Sequence, residues 1–126
     1  MFNTMIVEDN INFRHVLMDI LQAEFPSMRV TEAESGEQAL QKVEKRPPDL
    51  MFVDIKLPGM SGLELAGRIR PRLRDVVIVV LTSYDIPEYR TAAEAHQVDH
   101  FLLKGKSTRT EIVELVKSVL TGHSAE

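Results

Sequence analysis

The chain has no cysteine, so neither disulfides nor thiol catalysis can enter its chemistry. No apolar run approaches the ~18 residues that a membrane-spanning helix needs. No basic segment precedes an apolar one near Met1, so no secretory signal is expected. Positive charge is not in excess: 15 Lys and Arg against 19 Asp and Glu leave a net charge of −4. The whole deficit lies in residues 1–63, with 10 acids and 6 bases, whereas residues 64–126 balance at 9 and 9. Affinity for a nucleic-acid backbone comes from clustered Lys and Arg, so this domain is not expected to bind nucleic acid by itself. Repeats, low-complexity segments and internal linkers are absent as well. What is there is a chain of 126 residues, 44% apolar and 27% charged, enough for one domain with a core and not for two. A cytoplasmic domain without membrane contact is the expectation.

Short apolar runs alternate with helical patterns. Thr4–Val7, Arg29–Ala33, Leu50–Asp54, Val76–Thr82 and His100–Leu103 read as strands. The run from Val76 to Leu81 lacks polar alternation, which suits a strand covered on both faces of a parallel sheet. Phe13, Val16, Leu17, Ile20 and Leu21 follow the apolar stripe of a helix, with Asn10 as its N-cap. Ser35 caps a second helix with Ala39, Leu40 and Val43 inward, closed off by Pro47-Pro48. Ser61 starts a third, with Ala66 and Ile69 inward. A fourth, from about Pro87 to Ala95, has only the thin face of Tyr89, Ala92 and Ala93. Thr108 caps a fifth, striped by Ile112, Val113, Val116, Val119 and Leu120. Five such units imply right-handed crossovers and an α/β sheet covered on both faces.

The chemistry sits where the apolar runs end. Glu8-Asp9 follow Met5-Ile6-Val7, Asp54 ends Leu50-Met51-Phe52-Val53, Thr82 ends the most apolar run, and Lys104 follows Phe101-Leu102-Leu103. In an open parallel sheet, ligands bind beyond the carboxyl ends of the strands. Three acids converging on one space repel one another, and a hard divalent cation is the usual remedy. Mg²⁺ takes oxygen ligands, a few from carboxylates and the rest from carbonyls and waters. An ammonium beside them suits a phosphoryl group. Taken singly, each residue is an ordinary strand end or turn; the combination, in chain order, is specific. Pro58, Gly59 and Gly62 mark a loop that lets backbone approach the site. Arg68, Arg70, Arg72 and Arg74 read as a solvated helix end favoured by the dipole, not a phosphate patch. His15, His96, His100 and His123 lack metal-ligand spacing, and Met51 and Phe52 read as core.

Glu8-Asp9, Asp54 with Lys56-Leu57-Pro58-Gly59-Met60-Ser61-Gly62, Thr82-Ser83 and Lys104 together resemble the motif set of bacterial response-regulator receiver domains, over about residues 4–121. That resemblance implies a doubly wound, five-stranded parallel sheet in flavodoxin-like order 2-1-3-4-5, with helices on both faces. It implies a regulatory protein rather than an enzyme: a phosphorylation-driven switch that promotes its own phosphotransfer and slow hydrolysis. Asp54 would accept the phosphoryl group from a phosphohistidine on a sensor histidine kinase. Asp9, Asp54 and the backbone carbonyl of Lys56 would bind Mg²⁺, with Glu8 acting mainly through a water on the metal. Thr82 and Lys104 would hold phosphoryl oxygens. Thr82 and Phe101 would form the switch, and the fourth helix, fifth strand and fifth helix would present the dimer or output-partner surface. Tyr89, Arg90, Glu94 and Glu111 fall on that surface. Residues 1–121 would be the receiver and residues 122–126 a polar tail or the start of a linker.

Departures from the family pattern carry their own expectations. Gly105 replaces the proline that often follows the lysine. Lys104-Gly105 after Phe101-Leu102-Leu103 leans toward the subfamily that usually carries a helix-turn-helix output domain, which these 126 residues do not include. His96-Gln97 and His100 stand where relatives often have small residues, so the fourth helix is expected to end less neatly for want of a C′ glycine. Lys56 and Tyr84, two residues beyond Asp54 and Thr82, flank the path of attacking water, and neither is a good base near neutral pH. They predict slow dephosphorylation. Among rivals, a phosphatase with an aspartyl nucleophile wants a second aspartate where Lys56 stands. A flavin-binding module wants a phosphate loop where the acidic Glu8-Asp9-Asn10 would repel phosphate. A degenerate receiver would not keep Asp9, Asp54, Thr82 and Lys104 intact.

Overall fold

The computed structural model describes residues 1–124, in which five strands alternate with five helices. They run β1 (Asn3–Val7), α1 (Ile11–Glu24), β2 (Arg29–Ala33), α2 (Gly36–Lys45), β3 (Leu50–Val53), α3 (Gly62–Ile69), β4 (Val77–Thr82), α4 (Pro87–Ala95), β5 (His100–Leu103) and α5 (Arg109–Ser124). All pairings are parallel, in the order β2-β1-β3-β4-β5. The chain steps outward from β1 to β2, then crosses to β3 on the other side. The two crossovers diverge above β1 and β3, and that divergence opens a crevice at the carboxyl ends of these strands.

Period-2 alternation splits the core into two layers. Met5, Val7, Met51, Val53 and Ile78 pack against Ala39 and Val43 of α2 and Leu65, Ala66 and Ile69 of α3. Ile6, Leu50, Phe52, Val79 and Leu81 face the other way, against Leu17 and Leu21 of α1 and Ile112 and Val116 of α5. Val80 shares the first face and meets Ala93 of α4 with Tyr89, Ala92 and Phe101 around it. All four side chains of β3 are at most 1% exposed. Each is worth roughly 1.5–3 kcal/mol of burial, so the base of Asp54 rests on an anchored strand.

The expected caps are in place. Asn10, Ser35 and Ser61 each accept from the backbone N–H three residues on. Thr108 and Glu111 form a reciprocal capping box at the start of α5.

Elsewhere the structure corrects the sequence reading. Val16 is 56% exposed and Arg14 only 5%. At about 100° per residue, an arc centred near Leu17 takes in Arg14 and leaves Val16 at its rim. Arg70 is not solvated like its neighbours. Its guanidinium donates to the carbonyls of Gln97, Arg74 and Val76 and to Asp99 Oδ2, tying the end of α3 to the entrances of β4 and β5. The fourth helix ends cleanly without a glycine. Gln97 adopts φ +59° and donates to Glu94 O, while Val98 N–H reaches back to Ala93 O, the paired bonds of a Schellman motif. Helix α5 runs on to Ser124. Gly122 carries no left-handed φ among the described residues and so does not stop it.

Candidate functional site

Three backbone rungs build the site. The ladder between β1 and β2 continues past its last pair as Glu8 N–H to Ala33 O, 3.0 Å. That between β3 and β1 continues as Asp54 N–H to Val7 O, 3.0 Å, and that between β5 and β4 as Lys104 N–H to Thr82 O, 2.8 Å. Glu8, Asp54 and Lys104 are therefore each the first residue beyond a strand, held at the base by their own N–H.

The tips converge. One carboxylate oxygen from each of Glu8, Asp9 and Asp54 lies within 4.8 Å of the others. Lys104 Nζ bonds Glu8 Oε1 and lies 3.3 Å from Asp54 Oδ2. Glu8 is 2% exposed, Asp54 8% and Thr82 0%, whereas Asp9 is open to solvent. Burial pushes the Glu8 carboxyl above the usual range, and the charge of Asp54 adds to this. The bonds from Lys104 and from Asn10 N–H pull the other way without cancelling it. Three acids share one ammonium, so the cluster is short of positive charge. Two acids are tucked in and one opens to water, a donor set that suits a hard, partly hydrated cation such as Mg²⁺.

Two loops hold these groups still. Arg14 Nη1 donates to Glu8 O at 2.6 Å, and Arg14 Nε to Glu32 at 2.8 Å. This buried guanidinium braces the β1–α1 turn from below. On the other side, the chain after β3 folds tightly over Asp54: a Cβ on Gly62 would fall 1.9 Å from Asp54 O. Gly59 takes φ +72°, and Glu37 of α2 accepts from Met60 N–H at 3.1 Å. That loop carries Lys56, whose Nζ sits 4.3 Å from the centroid of the Tyr84 ring. The two residues expected to flank the site thus touch one another across its rim. Phe101, partly buried, lies under the guanidinium of Arg90 at 4.5 Å, and Arg90 Nε bonds Asp85 at 2.8 Å.

The family model of the response regulator receiver domain matches residues 4–117. The chain belongs to this family. The transcriptional activator ExaE of Pseudomonas putida is 34% identical over 95% of this chain and 56% of its own length. The transcriptional regulatory protein DegU of Brevibacillus brevis is 32% identical over 93% and 49%. The chain spans about half the length of these relatives. Among solved structures, the response regulator TrrA of Thermotoga maritima, in complex with Mg²⁺ and BeF, aligns with a TM-score of 0.82 and 36% identity, covering 94% of this chain and 99% of that one. A CheY-like receiver from Methanospirillum hungatei has a TM-score of 0.90 at 24% identity over 99% and 98%, a likeness of fold. The chain is accordingly a receiver domain of two-component phosphorylation signalling, a regulatory module with the flavodoxin-like order expected of it.

The receiver's predicted site residues fall in two places. Glu8, Asp9, Asp54 and Lys104 meet in one cluster. Thr82 is buried beside it, its Oγ1 accepting from Tyr84 N–H at 3.4 Å, and Phe101 stands further along, beneath α4. The sequence reading missed Arg14 as a brace and Glu37 as a loop anchor. An arginine between Phe13 and Leu17 on an apolar arc was the available signal, since a buried charge needs partners. Among the described residues, no helix is long and apolar enough to cross a membrane.

Proposed function

We propose that Asp54 accepts a phosphoryl group from a phosphohistidine of a sensor histidine kinase. The observation that carries this is Asp54 itself: anchored by Val7 O and 3.3 Å from the Lys104 ammonium within a three-carboxylate cluster. An Asp54 carboxylate oxygen attacks phosphorus, the bond from phosphorus to the donor imidazole breaks, and its electron pair leaves on nitrogen. Lys104 turns from the carboxylates to the incoming phosphoryl oxygens, and Thr82 supplies a hydroxyl to another. Asp9, Asp54 and the carbonyl of Lys56 would hold Mg²⁺, with Glu8 further out. When bound, Mg²⁺ neutralises the charge gathered on the phosphoryl oxygens. Positioning and charge neutralisation, not covalent help from other side chains, carry such a transfer.

The switch runs from Thr82 to Phe101. Drawing Thr82 toward the phosphoryl group frees space beneath α4, and Phe101 turns inward, a shift between two packings. Phe101 has no hydroxyl, so packing and the Arg90 contact select its position. The responding face is α4, β5 and α5, which would contact a second copy or an output domain, one of the helix-turn-helix kind on the leaning of Lys104-Gly105. A cytoplasmic setting fits such a module. The test is incubation with a small acyl phosphate and Mg²⁺, read by intact mass. One phosphoryl group should add, and none without Mg²⁺. An Asp54→Asn variant that takes up as much as the parent would refute the assignment.

A further inference from the structure

Three residues and Lys104 form a closed ring of contacts. Asn10 N–H donates to Glu8 Oε2 at 3.1 Å. Asn10 Oδ1, the N-cap of α1, accepts from Phe13 N–H at 3.1 Å. The Phe13 ring lies under the Lys104 ammonium, with Nζ 4.5 Å from its centroid. Lys104 Nζ closes the ring on Glu8 Oε1. The cap that starts α1 thus also fixes an aromatic face against the ammonium that faces Asp54.

We infer that Phe13 is a positioning residue for phosphoryl transfer, acting through Lys104 by a cation–π contact. The inference rests on the proposed role of Asp54 and Lys104. A lysine is a point charge on a flexible four-carbon stem, and without a third contact its ammonium can leave Asp54 and swing to water. Beside its bonds to Glu8 and Asp54, the ammonium meets the negative face of the Phe13 ring. The Lys104 side chain is only 15% exposed, so the contact is partly desolvated, the condition in which cation–π attraction is strongest. Phe13 is only partly buried and sits in the first turn of α1, at the edge of a core centred on Leu17 and Leu21. When Lys104 exchanges Asp54 for phosphoryl oxygens, the ring keeps the ammonium at the reacting centre throughout.

Ring fluorination separates this role from packing. Fluorine drains electron density from the ring face while nearly preserving its shape and apolar character. Phe13 is replaced by mono-, di- and trifluorophenylalanine and by leucine, in the parent and in Lys104→Ala. The readouts are the rate of phosphorylation by a small acyl phosphate at saturating Mg²⁺, and the thermal midpoint. In the parent the logarithm of the rate should fall stepwise with each fluorine. It should reach about tenfold below the parent, about 1.4 kcal/mol, at trifluorophenylalanine and at leucine, while the fluorinated midpoints stay unchanged. In Lys104→Ala the series should be flat. A flat series in the parent overturns the inference, as does a fall that persists in Lys104→Ala or tracks the thermal midpoint. Failure of the underlying reading looks different: Asp54→Asn would still be phosphorylated, whatever stands at position 13.

Discussion

The Lys56–Tyr84 contact sets an expectation for how long the signal lasts. If Asp54 carries the phosphoryl group as proposed, its hydrolysis needs water in line with the Asp54 oxygen that leaves. Phosphorus accepts the water oxygen, its bond to Asp54 breaks, and the carboxylate departs. Lys56 and Tyr84 are the residues expected to flank that approach, and the structure joins them at 4.3 Å. Tyr84 is 43% exposed, so the pair belongs with solvent-exposed cation–π contacts, worth about 0.5–1 kcal/mol. If water must part the pair to reach phosphorus, that energy is part of the barrier. At 1.36 kcal/mol per tenfold, losing it should speed decay by about two- to fivefold. Tyr84→Ala and Lys56→Ala should each show this, and the double variant little more, because one cut already breaks the bridge. Lys56→Asn with Tyr84→Glu should be faster still, several-fold or more over the parent, since an acid can also orient the water. The assay is decay of the phosphorylated protein after donor removal, at constant Mg²⁺. Additive single effects would show that the two side chains act separately, and unchanged decay would show that water access is set elsewhere.

Four further outcomes follow from particular residues. Gln97 occupies a left-handed position at a cost of about 1 kcal/mol, so Gln97→Gly should raise the unfolding free energy by roughly that amount in a denaturant titration; a loss would mean that the Gln97 side chain contributes more than its backbone costs. Asp9→Ala should weaken Mg²⁺ binding more than Glu8→Ala in a direct titration, and equal losses would place both in the same shell. Glu8 binds its proton more tightly folded than unfolded, so without Mg²⁺ its contribution favours the fold at low pH and is lost as pH rises from the ordinary glutamate range through the folded value; Glu8→Gln should flatten that slope, and a slope of the opposite sign in the parent would overturn the assignment. Arg90→Met should free the Phe101 ring, seen as a shifted and broadened aromatic resonance before phosphorylation, whereas an unchanged spectrum would remove Arg90 from the switch.

What was legible in the chain was what chain order encodes. A strand buried on both faces must be an apolar run, and its end must be the first polar residue, so Glu8, Asp54 and Lys104 announced themselves. Order 2-1-3-4-5 brings the first two ends side by side, and β5 beside β4 brings Lys104 in. Caps were legible for a similar reason: Asn10, Ser35 and Ser61 act within three residues of themselves. What periodicity alone does not reveal is where side chains from separate elements meet. Arg14 reads as a polar interruption of an apolar stripe until Glu32 and the Glu8 carbonyl are seen around it. Arg70 reads as one of four alternating arginines, two of which are more than half exposed, until the ends of α3 and α4 close on it.

The same distinction explains where this receiver departs from a bare motif set. Asp54, Asp9, Thr82 and Lys104 are spaced by strand lengths, which the fold dictates. The contacts beside them join residues from different elements and loops: Lys56 to Tyr84, Phe13 to Lys104, Arg90 to Phe101. All three are a cation over an aromatic face, in a chain with only 6% aromatic residues. Where such a contact lies in solvent, as at Tyr84 and Arg90, it is weak and can form and part as a side chain moves by an ångström or two, whereas the partly desolvated contact at Lys104 holds more firmly. A hydrogen-bonded ion pair would hold one geometry more firmly. The anchored parts of the site therefore use backbone rungs and a buried guanidinium, while the proposed water path and the proposed switch are each closed by an exposed contact that opens at small cost.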